Sequence, residues 1–286
     1  MRMRAENEVL DQLQQYAQTD PKVRAVLLNG SRVNPNAPQD LFNDYDVVFA
    51  VDEPEYYARH QEWIGTFGEL IMMQQNTIQE HGEQWYIFLM LFMDGVRIDL
   101  SFKKVEYINA HDEDSLTKVL LDKDQRIKPY APPSDQSYVT HCPSKQEYDD
   151  VLNEIWWCST NVAKGIWREE LSYAKFMLDV IVKDAVIKLL LWHVGLHHDW
   201  SANVGKAGKW LEDFLSPELW EAFVRTYPGV RYEELWDALL ATGELTRTVG
   251  VELAERLGYD YQVEDDRRVT AYLHKVRQLP KDAEYF

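Results

Sequence analysis

Two aspartates, Asp44 and Asp46, stand two residues apart at the start of an apolar run, Val47 to Ala50. Side chains of a β-strand alternate between its two faces, so Asp44 and Asp46 are predicted to point the same way. Two ionised carboxylates on one face repel each other unless a cation lies between them. Carboxylate oxygens are the hard ligands that Mg²⁺ prefers. The spacing therefore predicts a divalent-metal site at this pair.

A Gly-Ser pair, Gly30-Ser31, precedes these aspartates and ends a strand-like run, Val23 to Asn29. Gly30 lets the backbone approach a ligand closely, and Ser31 offers a backbone N–H and a hydroxyl to a phosphate. Arg32 follows directly and is a further candidate phosphate partner. A strand, a Gly-Ser turn, a polar loop and a strand that carries Asp-x-Asp together predict a phosphate site beside a metal.

A third candidate carboxylate, Asp99, lies in an alternating stretch, Val96 to Phe102, that predicts a strand. The preceding apolar run, Trp85 to Met93, is typical of a strand buried on both faces, and Asp94-Gly95 predicts a hairpin turn between the two. A carboxylate paired to so apolar a neighbour indicates a functional role. The alternative is a surface Asp99 that forms an ion pair with Arg97.

These motifs resemble the signature of the polymerase-β-like nucleotidyltransferase superfamily, a Gly-Ser followed by Asp-x-Asp on the next strand, with a third carboxylate on a strand beside them. The fuller string GSRVNPNAPQDLFNDYDVVF, residues 30–49, is similar to one branch, the aminoglycoside 6-adenylyltransferases or streptomycin adenylyltransferases. The resemblance continues in the second half, over WWCSTNVAKGIWREELSYAKFMLDVIVKDAVIKLLLWHVG, residues 156–195.

The resemblance implies transfer of AMP from ATP to a hydroxyl of streptomycin, with release of pyrophosphate. Asp44 and Asp46 would hold Mg²⁺ on the triphosphate, and Asp99 would share a second ion near the attacking oxygen. The Gly-Ser-Arg turn would bind phosphate oxygens. Asp179 or Asp99 would accept the proton of the hydroxyl, and the sequence does not choose between them.

Helical periodicity dominates the second half of the chain and predicts a bundle, with segments at Lys145 to Trp167, Glu169 to Trp192, Tyr232 to Leu257 and Arg267 to Leu279. Ser159, Asn161 and Lys164 place a hydroxyl, an amide and a cation within two helical turns. We interpret them as contacts for the triphosphate, with an ordinary helix surface as the alternative.

Lys175, Asp179 and Lys183 follow i, i+4 spacing, which is typical of an exposed, salt-bridged ridge. The alternative, favoured by the resemblance, makes Asp179 the carboxylate that binds a cationic acceptor and draws the proton from its hydroxyl. Trp156 and Trp157 are adjacent and cannot both face the core. One of them is a candidate wall for a sugar ring, and bundle packing is the other interpretation.

Two histidines, His193 and His197, lie one helical turn apart, with His198 beside them. They lack the H-E-x-x-H pattern and a neighbouring cysteine, so the sequence predicts no metal there. Cys142 and Cys158 are too few for a disulfide framework.

The length of the chain permits two domains, and the resemblance, together with the strand-like first half and the helical second half, implies an α+β protein. The 286 residues suffice for two separate cores. We expect a nucleotidyltransferase domain over residues 1–135, with a mixed β-sheet flanked by helices. An all-helical substrate-binding domain over residues 136–286 would follow a proline-containing linker, Asp124 to Ser144.

The chain is acidic, with 30 Lys and Arg against 48 Asp and Glu and a net charge of −18. This balance argues against a nucleic-acid partner and suits a cationic aminoglycoside. No signal peptide or membrane span is evident, so we expect a cytoplasmic monomer or homodimer without a membrane partner. Two alternatives stay open: a transferase of the same fold with another acceptor (another aminoglycoside, a protein or RNA), and a non-catalytic binder of a cationic ligand.

Overall fold

The computed structural model describes residues 2–111 and 114–286. The chain forms two compact units, one that ends at Ser137 and one that runs Tyr138–Phe286. The sequence-based prediction placed this division between residues 135 and 136. None of the described helices combines the length and the apolar character that crossing a bilayer requires.

A mixed β-sheet forms the centre of the N-terminal unit. Among the described residues it has six strands: β1 Val23–Asn29, β2 Tyr45–Val51, β3 Leu70–Glu80, β4 Glu83–Phe92, β5 Arg97–Lys104 and β6 Thr117–Asp122. Their order across the sheet is β3-β4-β5-β2-β1-β6. The central pair β2 and β5 runs parallel, and the other neighbouring pairs run antiparallel. This confirms the predicted mixed sheet.

Helices and aromatic residues cover one face of this sheet. Helix α1 (Glu6–Thr19) turns a fully buried stripe toward the core, formed by Val9, Leu13 and Ala17. Tyr57, in helix α2 (Pro54–Arg59), stacks on Phe102 of β5 with ring centroids 4.1 Å apart. Aromatic side chains of this kind bury roughly 150–250 Å² each, so they make a large contribution to the stability of the unit.

Helix α3 (Val105–His111) covers part of the opposite face, where Val105 and Ile108 belong to a smaller core with residues of β1 and β2. The apolar sequence of β4 predicted a strand buried on both faces, and this prediction is wrong. Its buried residues alternate with half-exposed ones, because the smaller core lies over other strands.

Two further elements were not predicted from the sequence. Helix α2 ends at Arg59, and a 3₁₀ turn follows at Glu62–Phe67. Strand β3 was not predicted, because its sequence LIMMQQNTIQE has no regular alternation of apolar and polar residues.

The C-terminal unit is helical, as predicted. Its helices are α4 Lys145–Trp167, α5 Leu171–Phe176, α6 Lys183–His197, α7 Leu211–Phe214, α8 Pro217–Val224, α9 Tyr232–Leu257 and α10 Val263–Gln278. A capping box begins α4, in which the Ser144 hydroxyl accepts from the Glu147 N–H at 3.2 Å and the Glu147 carboxylate accepts from the Ser144 N–H at 2.8 Å.

Candidate active site

The parallel pair β2 and β5 brings the aspartates of the N-terminal unit together. Its register sets Asp46 directly beside Asp99, and Asp44 immediately precedes β2. Residues two apart on a strand share a face, so Asp44 and Asp46 lie on the face that also carries Arg97 and Asp99. The three carboxylates therefore form one cluster.

The guanidinium of Arg97 lies within this cluster. Its Nε donates to Asp99 Oδ1 at 2.9 Å, and its Nη2 donates to Asp99 Oδ2 at 2.8 Å. Its Nη1 is 3.4 Å from Asp44 Oδ2. Both interpretations of Asp99 thus describe the structure: it forms an ion pair with Arg97, and it belongs to the carboxylate cluster.

Arg97 does not neutralise the whole cluster. Burial, together with the carboxylates of Asp99 and Asp44, raises the pKa of Asp46 to about 6. Burial also raises the pKa of Asp44, although the charge of Arg97 opposes the shift. Both pKa values are raised, which means that the surroundings disfavour the ionised carboxylates. A bound cation would stabilise the ionised carboxylates and so lower both pKa values.

Gly30 fits closely against Asp46. Its φ is +75°, and a Cβ built at this position would lie 2.3 Å from Asp46 Oδ2. The Gly30 N–H donates to the Leu116 carbonyl oxygen at 3.0 Å, at the start of a 3₁₀ turn, Gly30–Val33. A glycine is required here both by its backbone conformation and by the position of the carboxylate.

The two residues after Gly30 hold the loop that leads into β2. The Ser31 hydroxyl accepts from Asn43 Nδ2 at 3.1 Å. Arg32 Nε donates to the Asp44 carbonyl oxygen at 3.1 Å, and its guanidinium lies 3.6 Å from the centre of the Tyr45 ring. With only 8% of its side chain exposed, Arg32 would have to leave these contacts to take the predicted phosphate role.

Asn29 was not predicted as a site residue. It ends β1, and the antiparallel register places it opposite Asp46, so the two side chains share a face. Its Oδ1 is buried and has no hydrogen-bond partner in the described structure. In the sequence, the signal for this residue was its position: Asn29 is polar, ends an apolar strand and directly precedes Gly-Ser.

Helix α4 carries the predicted triphosphate contacts and the tryptophan pair. Ser159 is 2% exposed, and its hydroxyl donates to a backbone carbonyl one turn earlier at 2.7 Å. It lies in the bundle core because the apolar stripe of α4 turns it inward, and its contact with a triphosphate stays a prediction. Asn161 and Lys164 are half-buried. Trp156 is buried and Trp157 is 67% exposed, and both line a cavity of 410 Å³.

Asp179 lies in a π-helical turn, Met177–Val182, that joins α5 to α6. Single π turns within α-helices occur frequently at functional sites. Asp179 Oδ2 is 2.6 Å from Lys175 Nζ, whereas Oδ1 is buried and has no hydrogen-bond partner in the described structure. Lys183 is 3% exposed, and its Nζ donates to the Thr226 carbonyl oxygen at 2.7 Å. The predicted exposed ridge is therefore wrong for Lys183.

Comparison with known proteins identifies the family. The streptomycin adenylyltransferase family matches residues 3–276 of the chain. This chain belongs to that family. The aminoglycoside 6-adenylyltransferase of Bacillus subtilis (strain 168) is 34% identical over 280 residues, which cover 96% of this chain and 98% of the relative. That of Campylobacter jejuni is 34% identical over 283 residues, with coverage of 98% and 97%.

A solved structure, the crystal structure of an aminoglycoside 6-adenyltransferase from Bacillus subtilis, is 30% identical to this chain. The match covers 97% of this chain and 100% of that chain, with a TM-score of 0.49. The family inferred from the Gly-Ser and Asp-x-Asp motifs is confirmed by the sequence matches, and the protein is a nucleotidyltransferase.

The donor atoms of the carboxylate cluster can be compared with the ligands that a divalent cation requires. The carboxylates of Asp44, Asp46 and Asp99 and the unpartnered amide oxygen of Asn29 are the hard oxygen donors that Mg²⁺ takes. The three carboxylates do not meet at one point, because Arg97 lies between Asp44 and Asp99. The donor types fit the ion, and ligation by all three aspartates requires Arg97 to withdraw.

A cavity of 680 Å³ borders Asp179 in the helical unit of this transferase. Its charged lining consists of four carboxylates and two lysines: Asp150, Glu154, Asp179, Asp184, Lys183 and Lys188. The volume lies in the range of small-molecule pockets. The excess of carboxylates favours a cationic ligand.

Proposed function

We propose that this nucleotidyltransferase transfers AMP from ATP to a hydroxyl of streptomycin, with Mg²⁺ held by Asp44, Asp46 and Asp99. The observation that carries the proposal is the parallel register that sets Asp46 beside Asp99 and against Gly30, in a chain of this family. The relatives from Bacillus subtilis and Campylobacter jejuni are aminoglycoside 6-adenylyltransferases, which supports an aminoglycoside as the acceptor.

The proposed reaction is a displacement at the α-phosphorus of ATP. The hydroxyl oxygen of the acceptor forms a bond to this phosphorus, the bond from phosphorus to the bridging oxygen of the β-phosphate breaks, and pyrophosphate leaves. Bound Mg²⁺ would offset the negative charge of the triphosphate. The backbone N–H of Ser31 would bind a phosphate oxygen, since the N–H of Gly30 already donates to the Leu116 carbonyl oxygen.

The proton of the attacking hydroxyl passes to a carboxylate, and the hydrogen bonds favour Asp179 over Asp99. Both oxygens of Asp99 accept hydrogen bonds from Arg97. Asp179 Oδ1, in contrast, has no partner in the described structure, and because it is buried its side chain would have to turn toward the substrate. An unpartnered carboxylate oxygen is the group that would accept a hydrogen bond from a substrate hydroxyl and then its proton.

The acceptor would bind in the acidic cavity beside Asp179. Asp150, Glu154 and Asp184 would pair with cationic groups of the aminoglycoside, and the net charge of −18 would raise the local concentration of such a ligand. Electrostatic attraction of this kind is screened by salt. The KM for the aminoglycoside should therefore rise with ionic strength.

The proposed function is tested by an AMP-transfer assay with ATP, Mg²⁺ and a panel of acceptors: streptomycin, other aminoglycosides and an RNA oligonucleotide. We expect streptomycin to gain the mass of one adenylyl group, AMP less one water, with release of one pyrophosphate, and we expect Asp46→Asn to abolish the transfer. Asp52→Asn is the matched control, because Asp52 lies just beyond β2 and its side chain, 59% exposed, pairs with Arg126. Turnover of RNA without any aminoglycoside, or full activity of Asp46→Asn, would contradict the proposal.

A further inference from the structure

A second group of ligand-type side chains lies between helices α6 and α9. His193 Nδ1 is 3.2 Å from Glu252 Oε2, and His197 Nε2 is 2.8 Å from Glu252 Oε1. The two imidazole rings are 4.5 Å apart. Within residues 2–111 and 114–286, this is the only trio of His, Cys, Asp or Glu whose ligand atoms all lie within 4.8 Å of one another.

We propose that His193, His197 and Glu252 form a binding site for a transition-metal ion of the Zn²⁺ class. Two imidazole nitrogens and one carboxylate oxygen are ligands that Zn²⁺ takes at bond lengths of about 2.0–2.2 Å. In a tetrahedral site with such bonds, neighbouring ligand atoms lie roughly 3.3 Å apart. The separation of 3.2 Å between His193 Nδ1 and Glu252 Oε2 is close to this value, and side-chain rotations would adjust the others.

The absence of a hydrogen bond at His193 Nδ1 among the described residues supports the proposal that a metal ion binds there. This atom is buried and makes no hydrogen bond within the described structure, although Glu252 Oε2 is only 3.2 Å away. A buried polar atom without a partner costs free energy, so such atoms call for an explanation. A metal ion between the imidazole and the carboxylate would supply the partner.

The space beside the trio supports an open coordination position. All three residues line a cavity of 630 Å³, whose lining also includes Ser216, Arg225 and Glu244. Three protein ligands leave a fourth position on a tetrahedral ion, which water or a small anion takes. The metal would therefore be accessible from solvent and exchangeable.

This site was not predicted from the sequence, which shows only the pair of histidines one turn apart. Glu252 is 55 residues from His197 and approaches it only through the packing of α9 against α6. The alternative role of the trio is a hydrogen-bonded link between the two helices. Metal binding distinguishes the two roles.

The test is a titration of the chelator-treated full chain with Zn²⁺, in competition with a chromophoric chelator. We expect one equivalent of Zn²⁺ per chain in Asp46→Asn, which removes a ligand of the separate carboxylate cluster. His193→Ala and Glu252→Gln should each weaken its binding at least about tenfold, a loss that is typical even of residues that only support a ligand. His198→Ala is the matched control, because the His198 ring packs against Phe214 at 5.3 Å instead of joining the trio.

Two further readouts keep the test decisive if a variant folds poorly. Co²⁺ in place of Zn²⁺ should give the intense visible absorption of a four-coordinate ion in the wild type and in Asp46→Asn, but not in His197→Gln. Zn²⁺ should raise the melting temperature of the wild type, His198→Ala and Asp46→Asn, but not that of His193→Ala, His197→Gln or Glu252→Gln. Uptake that is weak, that exceeds one equivalent in Asp46→Asn or that is equal in all variants would overturn the proposal, as would equal losses in His193→Ala and His198→Ala.

Discussion

Replacement of Gly30 by alanine tests whether the placement of Asp46 controls the chemistry. The φ of +75° makes any L-residue unfavourable here, at a cost of about 1–2 kcal/mol in the free energy of unfolding. The added Cβ would also lie 2.3 Å from Asp46 Oδ2, whereas Cβ contacts under 3.0 Å are essentially never seen. The carboxylate must therefore move by about 0.7 Å or more, close to the 1 Å misplacement that can lower a rate by about 10²-fold.

Gly82→Ala is the matched control in the same unit. Gly82 has a φ of +80°, and the described structure has no atom within 4 Å of a Cβ at that position. Both variants should lose about 1–2 kcal/mol of stability in urea unfolding. Only Gly30→Ala should also lose about 10²-fold in kcat/KM for AMP transfer, equivalent to roughly 2.7 kcal/mol of transition-state stabilisation. Equal kcat/KM values for the two variants would refute the inference that Gly30 positions a reacting carboxylate.

Three further variants test other parts of the site. Arg97→Gln removes a cation that competes for Asp99 and Asp44, so Mg²⁺ should bind more tightly in the absence of ATP, as measured by calorimetry. Asp179→Asn should lower kcat for streptomycin while Mg²⁺ affinity stays unchanged, and an unchanged kcat would leave Asp99 as the proton acceptor. Burial lowers the pKa of Lys183 from 10.5 to about 7, so between these values the unfolded chain binds a proton that the folded protein does not. Stability should therefore rise with pH across this interval in the wild type, but not in Lys183→Met, as measured by urea unfolding. Weaker Mg²⁺ binding in Arg97→Gln, or equal pH slopes for wild type and Lys183→Met, would contradict these two expectations.

Local sequence patterns predicted those helices and strands in which the buried residues recur with the period of the element itself. Helices α4 and α9 and strand β1 have the predicted bounds, and β5 alternates as its sequence indicates. The proximity of Asp99 to the Asp-x-Asp pair was also predictable, because the motif and its family resemblance specify which strands are adjacent. The burial of Ser159 was not predicted, since candidate chemistry was judged from residue type and not from the buried stripe of its helix.

The features that the sequence did not reveal depend on contacts between distant segments. The Arg97 guanidinium bridges Asp99 of β5 and Asp44, which immediately precedes β2. The position of the unpartnered Asn29 oxygen opposite Asp46 is apparent only from the register of β1 and β2. Glu252 joins the histidine pair through helix packing. The π turn at Asp179 interrupts a segment whose apolar periodicity is that of an ordinary α-helix, so no local signal marks it.

The most direct measurement is a crystal structure of the protein with Mg²⁺ and a non-hydrolysable ATP analogue. We expect Mg²⁺ on carboxylate oxygens of Asp44, Asp46 and Asp99, the triphosphate against the turn at Gly30 and Ser31, and Arg97 withdrawn from Asp44. A metal and triphosphate bound elsewhere, with Arg97 still bridging the two aspartates, would contradict the assignment of this cluster as the catalytic centre.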